Sequence, residues 1–278
     1  MTAPAIETGG ADVVVVPTPR NAAWRSAELI IEAIAAATSE HGVAHVALTG
    51  GSTPAGVFRV LASPSVRTRV DWTRVHLWWG DDRFVPRNDP LCNVWIADMT
   101  LFRQEDGSPG IPIPADRVHP FRTSDAIDEG RDADWCARAY ASELRAFLPV
   151  DGGWPVFDLV LVGIGPDGHL LSVFPGSAAF ETDAWALAIP APTHVEPHVP
   201  RVTLNPEIVP AARSVLAMAQ GAGRAAILEA VFADARDPRR LPAQLALRPG
   251  ATWVLDRSAA ARLPFGVGDG ASVIDRSG

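Results

Sequence analysis

Residues 159–164 read Leu-Val-Leu-Val-Gly-Ile, and this short run constrains the fold more than any other part of the chain. Branched apolar residues with no polar alternation suit a strand buried on both faces, as in a parallel sheet covered by helices. The run stops at Gly165-Pro166-Asp167-Gly168, a turn through which no strand continues, and His169 follows at once. A residue just beyond the carboxyl end of a central strand lies where open α/β sheets bind ligands. Imidazole, with an ordinary pKa of about 6.5, suits proton transfer near neutrality. Position alone leaves two readings of His169 open: a base, or a loop histidine with no chemical role.

The rest of the chain alternates in the same manner. Strands are expected at 13–16, 43–48, 75–79, 185–189, 214–219 and 251–255, besides the central one. Helices are expected at 21–37, from the Pro54 turn to about 62, at 93–102, at 128–147, and from the Gly221-Ala222-Gly223-Arg224 turn to 232. Such alternation implies a largely parallel sheet with covering helices. Residues 103–120, rich in proline and glycine, read as a surface excursion, and the prolines of 190–200 make a stiff extended loop. No repeat or shift in composition marks a linker, so one domain is expected over 1–278, with an ordered core at about 10–265.

Composition removes several function classes. A net charge of −8 argues against nonspecific nucleic-acid binding, which needs a basic surface, but leaves room for small anions held by a few local cations. No apolar run approaches the ~20 residues that span a membrane. The N-terminus lacks the basic start and apolar block of a signal peptide. Cys92 and Cys136 form neither a metal spacing nor a disulfide framework. These features point to a cytoplasmic protein. All 24 basic residues are arginine, which excludes lysine Schiff-base chemistry, a pyridoxal phosphate anchor, the phosphate-loop lysine and the Ser-x-x-Lys hydrolases.

Five motifs bear on chemistry. Gly163-x-Gly165-x-x-Gly168 matches the dinucleotide fingerprint, which needs a full helix after its last glycine. Pro175-Gly176 interrupts within two turns, so no nicotinamide or flavin site is expected. Gly50-Gly51-Ser52-Thr53-Pro54 joins a strand to a helix, with Thr53 as the expected cap and Pro54 at the first helical position. Open N–H groups and the helix dipole favour an anion there, and the paired glycines favour a phosphate cradle over a plain turn. Asp81-Asp82-Arg83 follows a strand and reads equally as a self-paired solvated turn or as a substrate-positioning group. His194 and His198 are four apart, but Pro197 prevents a helix from presenting both, so no zinc site is expected. Arg201 and Arg224 are candidate phosphate forks. Most of these groups follow expected strands, and in a parallel sheet such ends share one edge and converge.

Together, Thr49-Gly-Gly-Ser-Thr-Pro54, Gly80-Asp-Asp-Arg-Phe-Val-Pro86, Gly163-Ile-Gly-Pro-Asp-Gly-His169, Ser172-Val-Phe-Pro-Gly176, Pro200-Arg-Val-Thr203 and Gly221-Ala-Gly-Arg224 resemble the 6-phosphogluconolactonase family. The resemblance implies an α/β fold with a modified doubly wound, mostly parallel sheet and helices on both faces. It implies hydrolysis of 6-phospho-D-glucono-1,5-lactone to 6-phospho-D-gluconate in the pentose phosphate pathway. In that scheme His169 is the general base, Asp167 holds the imidazole or the water, Arg83 stabilises the oxyanion, and Asp81 completes the catalytic group. Gly50, Gly51, Ser52, Thr53, Arg201 and Arg224 hold the phosphate. The scheme requires no cofactor and no metal. Its partner is a small phosphorylated sugar lactone, with no nucleic acid or membrane; protein partners stay open.

Glucosamine-6-phosphate deaminases are similar in pattern, but their Phe-Asn-Glu-Pro stretch stands here as Ser172-Val173-Phe174-Pro175, without the carboxylate, and their Asp-Glu-Tyr turn as Asp81-Asp82-Arg83. A deaminase or isomerase, or a noncatalytic sugar-phosphate sensor, are the alternative readings. The chain departs from the lactonase pattern in having Asp82 for glutamate, Leu170 for threonine, Asp89 and Cys92 in a common His-x-x-Ser-Asn, and Arg224 for lysine.

Overall fold

A computed structural model describes residues 7–104 and 106–264. The expected single domain over 1–278 thus extends at both ends beyond the described residues. In chain order the elements are β1 (Asp12–Val16), α1 (Pro19–His41), β2 (Ala44–Leu48), α2 (Ser52–Ala62), α3 (Pro64–Arg67), β3 (Val75–Trp79), β4 (Asp81–Arg83), α4 (Asn93–Thr100) and β5 (Val118–His119). There follow α5 (Thr123–Asp128), α6 (Ala133–Phe147), the hairpin β6 (Val150–Asp151) and β7 (Trp154–Pro155), and β8 (Leu159–Gly163). The chain closes with β9 (Ala186–Ile189), β10 (Arg201–Leu204), α7 (Ile208–Ala211), β11 (Ser214–Ala219), α8 (Ala225–Ala233) and β12 (Ala251–Asp256).

Seven strands form the main sheet in the order β1-β12-β11-β8-β2-β3-β5, and every neighbouring pair is parallel. Every residue of β2 and β3 is buried, as is Leu159 to Val162 of β8. The continuous apolar runs therefore exist because both faces of the sheet are covered. From β2 the chain moves outward to β3 and β5, whereas from β8 it moves the opposite way to β11 and β12. Right-handed crossovers then put α1 and α2 on one face and α6 and α8 on the other. The strands at which direction reverses, β2 and β8, are adjacent, and a crevice opens between their carboxyl ends.

Local chemistry explains the helix limits. The Thr18 hydroxyl accepts from Asn21 N at 3.2 Å and Pro19 takes the first helical position of α1, which is two residues earlier than expected. Ala23, Ala27, Ile30 and Ile34 form its buried stripe. The helix expected at 128–147 is instead two helices. Asp132 caps α6 by accepting from Trp135 N at 2.8 Å, and this cap competes successfully with continuation from α5.

Three further expectations are corrected. Asp81–Arg83 is neither a turn nor solvated; it is β4, antiparallel to β10, in a second sheet ordered β4-β10-β9. The strand near 185–189 belongs to that sheet, not to the main one. Residues 103–120 are not wholly a surface excursion, since Val118–His119 closes the edge of the main sheet beside β3. Among the described residues, no helix is long and apolar enough to cross a membrane.

Candidate active site

Strands β11, β8, β2 and β3 are consecutive in the sheet, so the turns that follow them stand in a row at one edge. They surround a cavity of about 260 Å³. Gly50, Gly51, Ser52, Thr53, Asp81, Arg83, His169, Arg201 and Arg224 all line it. Asp167 is the one candidate that does not; it lies behind His169 and bonds to it.

The His169 turn is fixed by three interactions. Gly165 N donates to His169 O at 2.9 Å, His169 N donates to Asp167 Oδ1 at 3.2 Å, and His169 Nδ1 lies 2.5 Å from the same oxygen. A carboxylate there requires Nδ1 to carry the hydrogen, which leaves the Nε2 lone pair as the basic site. Gly165 is required by close approach, because a Cβ at this position would lie 2.1 Å from both Cε1 and Nδ1 of the imidazole. Burial pushes Asp167 upward, but the hydrogen bonds and charge of His169, with a second bond from His194, outweigh it. The carboxyl is held well below the ordinary carboxylate range. No helix follows Gly168; the chain makes a tight bridge between Leu170 and Val173, so the dinucleotide fingerprint has no helix terminus to offer.

Asp81 and Asp82 face opposite environments, as neighbours on a strand must. Asp82 is fully buried and accepts from Asn93 N and Arg83 N, each at 2.7 Å, and from the Cys92 thiol at 3.3 Å. It supplies the cap that α4 lacks from its own N-cap residue, Cys92. Burial pushes its carboxyl up to about 6, against these hydrogen bonds. Asp81 accepts from the Ser172 hydroxyl at 2.6 Å, which ties β4 to the His169 turn. Asn93 donates to Asp81 O at 2.8 Å and accepts from Arg83 Nη1 at 2.5 Å, thereby orienting the arginine. Gly50 is required because a Cβ would lie 1.8 Å from Asn93 Oδ1.

Arg83 and Arg201 are register partners across the β4–β10 pair, so their side chains rise side by side. The Nε of each is buried without a hydrogen-bond partner among the described residues. Burial, and then the positive charge of Arg83, push the Arg201 guanidinium below its ordinary value. Two adjoining guanidiniums with orphaned donors constitute a site for an anion. Helix α2 opens toward the same cavity, starting from Gly51 with no side-chain cap. Thr53 is thus the second helical residue rather than the cap, and Pro54 the third rather than the first. Proline is tolerated there because a first-turn N–H has no intrahelical acceptor to lose. Arg224 reaches across from the start of α8, its Nε donating to Ile164 O at 2.8 Å.

Sequence reasoning assigned no orienting role to Asn93, to the Ser172–Asp81 contact or to His194, which it weighed only as a metal ligand. The first two stand within quoted motifs, where residue type alone did not reveal that their role is to orient other site residues. His194 meets Asp167 across 27 residues, with no spacing to announce it.

Residues 17–255 match the family model described as glucosamine-6-phosphate isomerases/6-phosphogluconolactonase. The chain is 35% identical over 236 residues to a 6-phosphogluconolactonase of Mycobacterium tuberculosis, covering 84% of this chain and 91% of that protein. It is 35% identical over 260 residues to that of Streptomyces coelicolor, covering 89% and 95%. The solved 6-phosphogluconolactonase of Trypanosoma cruzi superposes with a TM-score of 0.80 at 27% identity, over 93% of this chain and 99% of the other. The chain belongs to the glucosamine-6-phosphate isomerase/6-phosphogluconolactonase family.

Proposed function

We propose that this protein hydrolyses 6-phospho-D-glucono-1,5-lactone to 6-phospho-D-gluconate, the lactonase step of the pentose phosphate pathway, with His169 as general base. The observation that carries the reading is the pairing of a carboxylate-oriented imidazole with two orphaned guanidiniums in one cavity. Water gives a proton to His169 Nε2 as its oxygen bonds to the lactone carbonyl carbon. The oxyanion that develops is met by Arg83, whose Nε–H has no other partner among the described residues. Collapse breaks the bond to the ring oxygen, which takes the proton back from the imidazolium. Asp167 keeps the ring oriented through both transfers, and Asp81, through Ser172, holds the turn. Arg201, Arg224, Ser52, Thr53 and the open amides after Gly50 grip the distant phosphate, whose binding energy places the ring. Cytoplasmic residence fits the two buried cysteines, Cys92 and Cys136, which carry free thiols.

The test is acid release from fresh lactone in a pH-stat, corrected for spontaneous hydrolysis. Rapid protein-dependent release is expected, with no ammonia formed from glucosamine 6-phosphate. Binding of 6-phospho-D-gluconate without turnover of the lactone would overturn the reading in favour of a sensor. The Gly50 contact gives a second check. In Gly50→Ala the new methyl must displace Asn93, and with it Arg83, so kcat/KM is expected to fall about 10²-fold, the scale of an ångström-sized misplacement. Circular dichroism should report an intact fold; unchanged kinetics would remove Arg83 from the mechanism.

A further inference from the structure

The scheme above uses one oxygen of Asp167, but both are occupied. Oδ1 faces His169 Nδ1 at 2.5 Å, and Oδ2 lies 2.9 Å from Nε2 of His194. We propose that His194 is a positioning residue for the hydrolysis, sharing Asp167 with the catalytic imidazole and pinning its own loop against the substrate cavity. This inference rests on His169 being the base.

The geometry is specific. A carboxylate can only accept, so His194 Nε2 carries a hydrogen, and two imidazole N–H groups draw on one negative charge. The His194 ring meets Phe174 edge-on, with centroids 5.6 Å apart and an interplanar angle of 79°. Phe174 in turn packs on His169 at 4.7 Å and lies beneath the Arg201 guanidinium at 5.7 Å. His194 thus joins the base, the aromatic platform and an anion-site arginine in one packed unit. Its loop is held at two further points: His198 Nδ1 lies 2.7 Å from Pro192 O, and Arg201 Nη2 donates to Pro197 O at 3.0 Å. The next two residues, Val195 and Glu196, line the cavity. His194 itself is 52% exposed, more than a core residue would be, so its contact with Asp167 is not a by-product of burial.

Two consequences follow. Dividing Asp167 between two donors weakens its hold on either, because each hydrogen bond to a carboxylate reduces what remains for the other. Releasing His194 returns the whole charge to His169, favours its imidazolium and moves the acid limb of the rate profile to higher pH. It also frees Val195 and Glu196 from the cavity wall, which weakens substrate binding. The charged groups on other elements around the cavity, Arg83, Arg201, Arg224 and Asp81, keep their places in the variant, so their fields cancel in the comparison; Glu196 moves with the loop, and withdrawal of its carboxylate offsets part of the rise.

The experiment compares the wild type with His194→Ala, His194→Gln and His169→Ala between pH 5 and 7, where hydroxide-driven hydrolysis of the lactone is slow. For His194→Ala, the acid limb of kcat/KM is expected to rise by about 0.5 pH unit and KM by about fivefold, the scale of one half-exposed charge-assisted hydrogen bond. In His194→Gln an amide N–H replaces the ring donor, and both quantities are expected to return toward wild type. An unmoved limb and KM in His194→Ala overturns the inference, as does an equal displacement in both variants. Near-full activity in His169→Ala overturns the base assignment, and this inference with it. A dead His169→Ala alongside an unmoved His194→Ala overturns this inference alone.

Discussion

Replacing His169 with alanine is expected to lower kcat by about 10²–10⁴-fold, the usual contribution of a positioned base, and to leave the fold intact. The side chain is on a turn at the cavity edge, and its polar contact is with Asp167, which keeps His194 as a second partner. The substitution therefore strands no carboxylate, and thermal unfolding monitored by circular dichroism should shift little. KM should stay within a few-fold, because the groups assigned to the phosphate stand on other elements. Asp167→Asn separates orientation from basicity. An asparagine amide can turn its N–H toward the imidazole and favour the wrong tautomer, so kcat should fall with KM nearly unchanged. Initial rates in a pH-stat decide the matter. A His169→Ala kcat within threefold of wild type would remove the imidazole from the chemistry.

The parts of this site that were legible from sequence share one property: each depends on a strand ending and a turn beginning. Gly50-Gly51, Asp81 and His169 follow apolar runs whose burial sets both register and direction, so parallel topology alone brings them to one edge. What stayed hidden was pairing between distant segments. The strand status of Asp81–Arg83 comes from Arg201–Leu204, a segment flanked by prolines that resembles a loop when read alone. Once these pair, Arg83 and Arg201, two separate candidates in the sequence, become neighbours with their unpartnered Nε atoms in one proposed anion site. The orienting role of Asn93 and the cap supplied by Asp82 were hidden for the same reason. A side chain that serves another element leaves no periodic trace in its own. Local signals were also overruled where a stronger competitor stood nearby, as when the Asp132 cap divided an otherwise continuous amphipathic stretch.

Acid is expected to destabilise the folded protein well before its carboxylates in general titrate, and the cause lies under the sheet rather than in the cavity. His45, His76 and His119 are buried on β2, β3 and β5. Trp78 Nε1 donates to His45 Nδ1 at 3.2 Å, and Arg117 donates to His76 Nε2. His76 Nδ1 lies 2.8 Å from His119 Nε2, whose ring continues to Glu143 at 2.6 Å. Both His45 and His76 thus use a ring nitrogen as acceptor, which a proton would abolish. Burial, and then the neighbouring histidines, lower His45 to about 3; burial, then His119 and Arg117, lower His76 to about 4. A histidine lowered on folding binds its proton more readily in the unfolded chain, so its share of stability is lost as pH falls from about 6.5 toward those values. Asp82, raised to about 6, works in the opposite direction and returns stability as pH falls below 6. Two groups losing against one gaining leaves a net of one proton, about 1.4 kcal/mol for each pH unit. Between pH 6.5 and 4 the loss is on the order of a few kcal/mol, a large share of the ~5–15 kcal/mol typical of a domain. Urea unfolding at pH 6.5, 5.5 and 4.5 should show this slope. His45→Asn keeps an acceptor for Trp78 but does not titrate, so its slope should nearly vanish below pH 6, whereas Asp82→Asn should steepen it. Equal stability at pH 6.5 and 4.5 in the wild type would mean that these histidines are already protonated in the fold, and that the relay from Arg117 to Glu143 does not run through neutral rings.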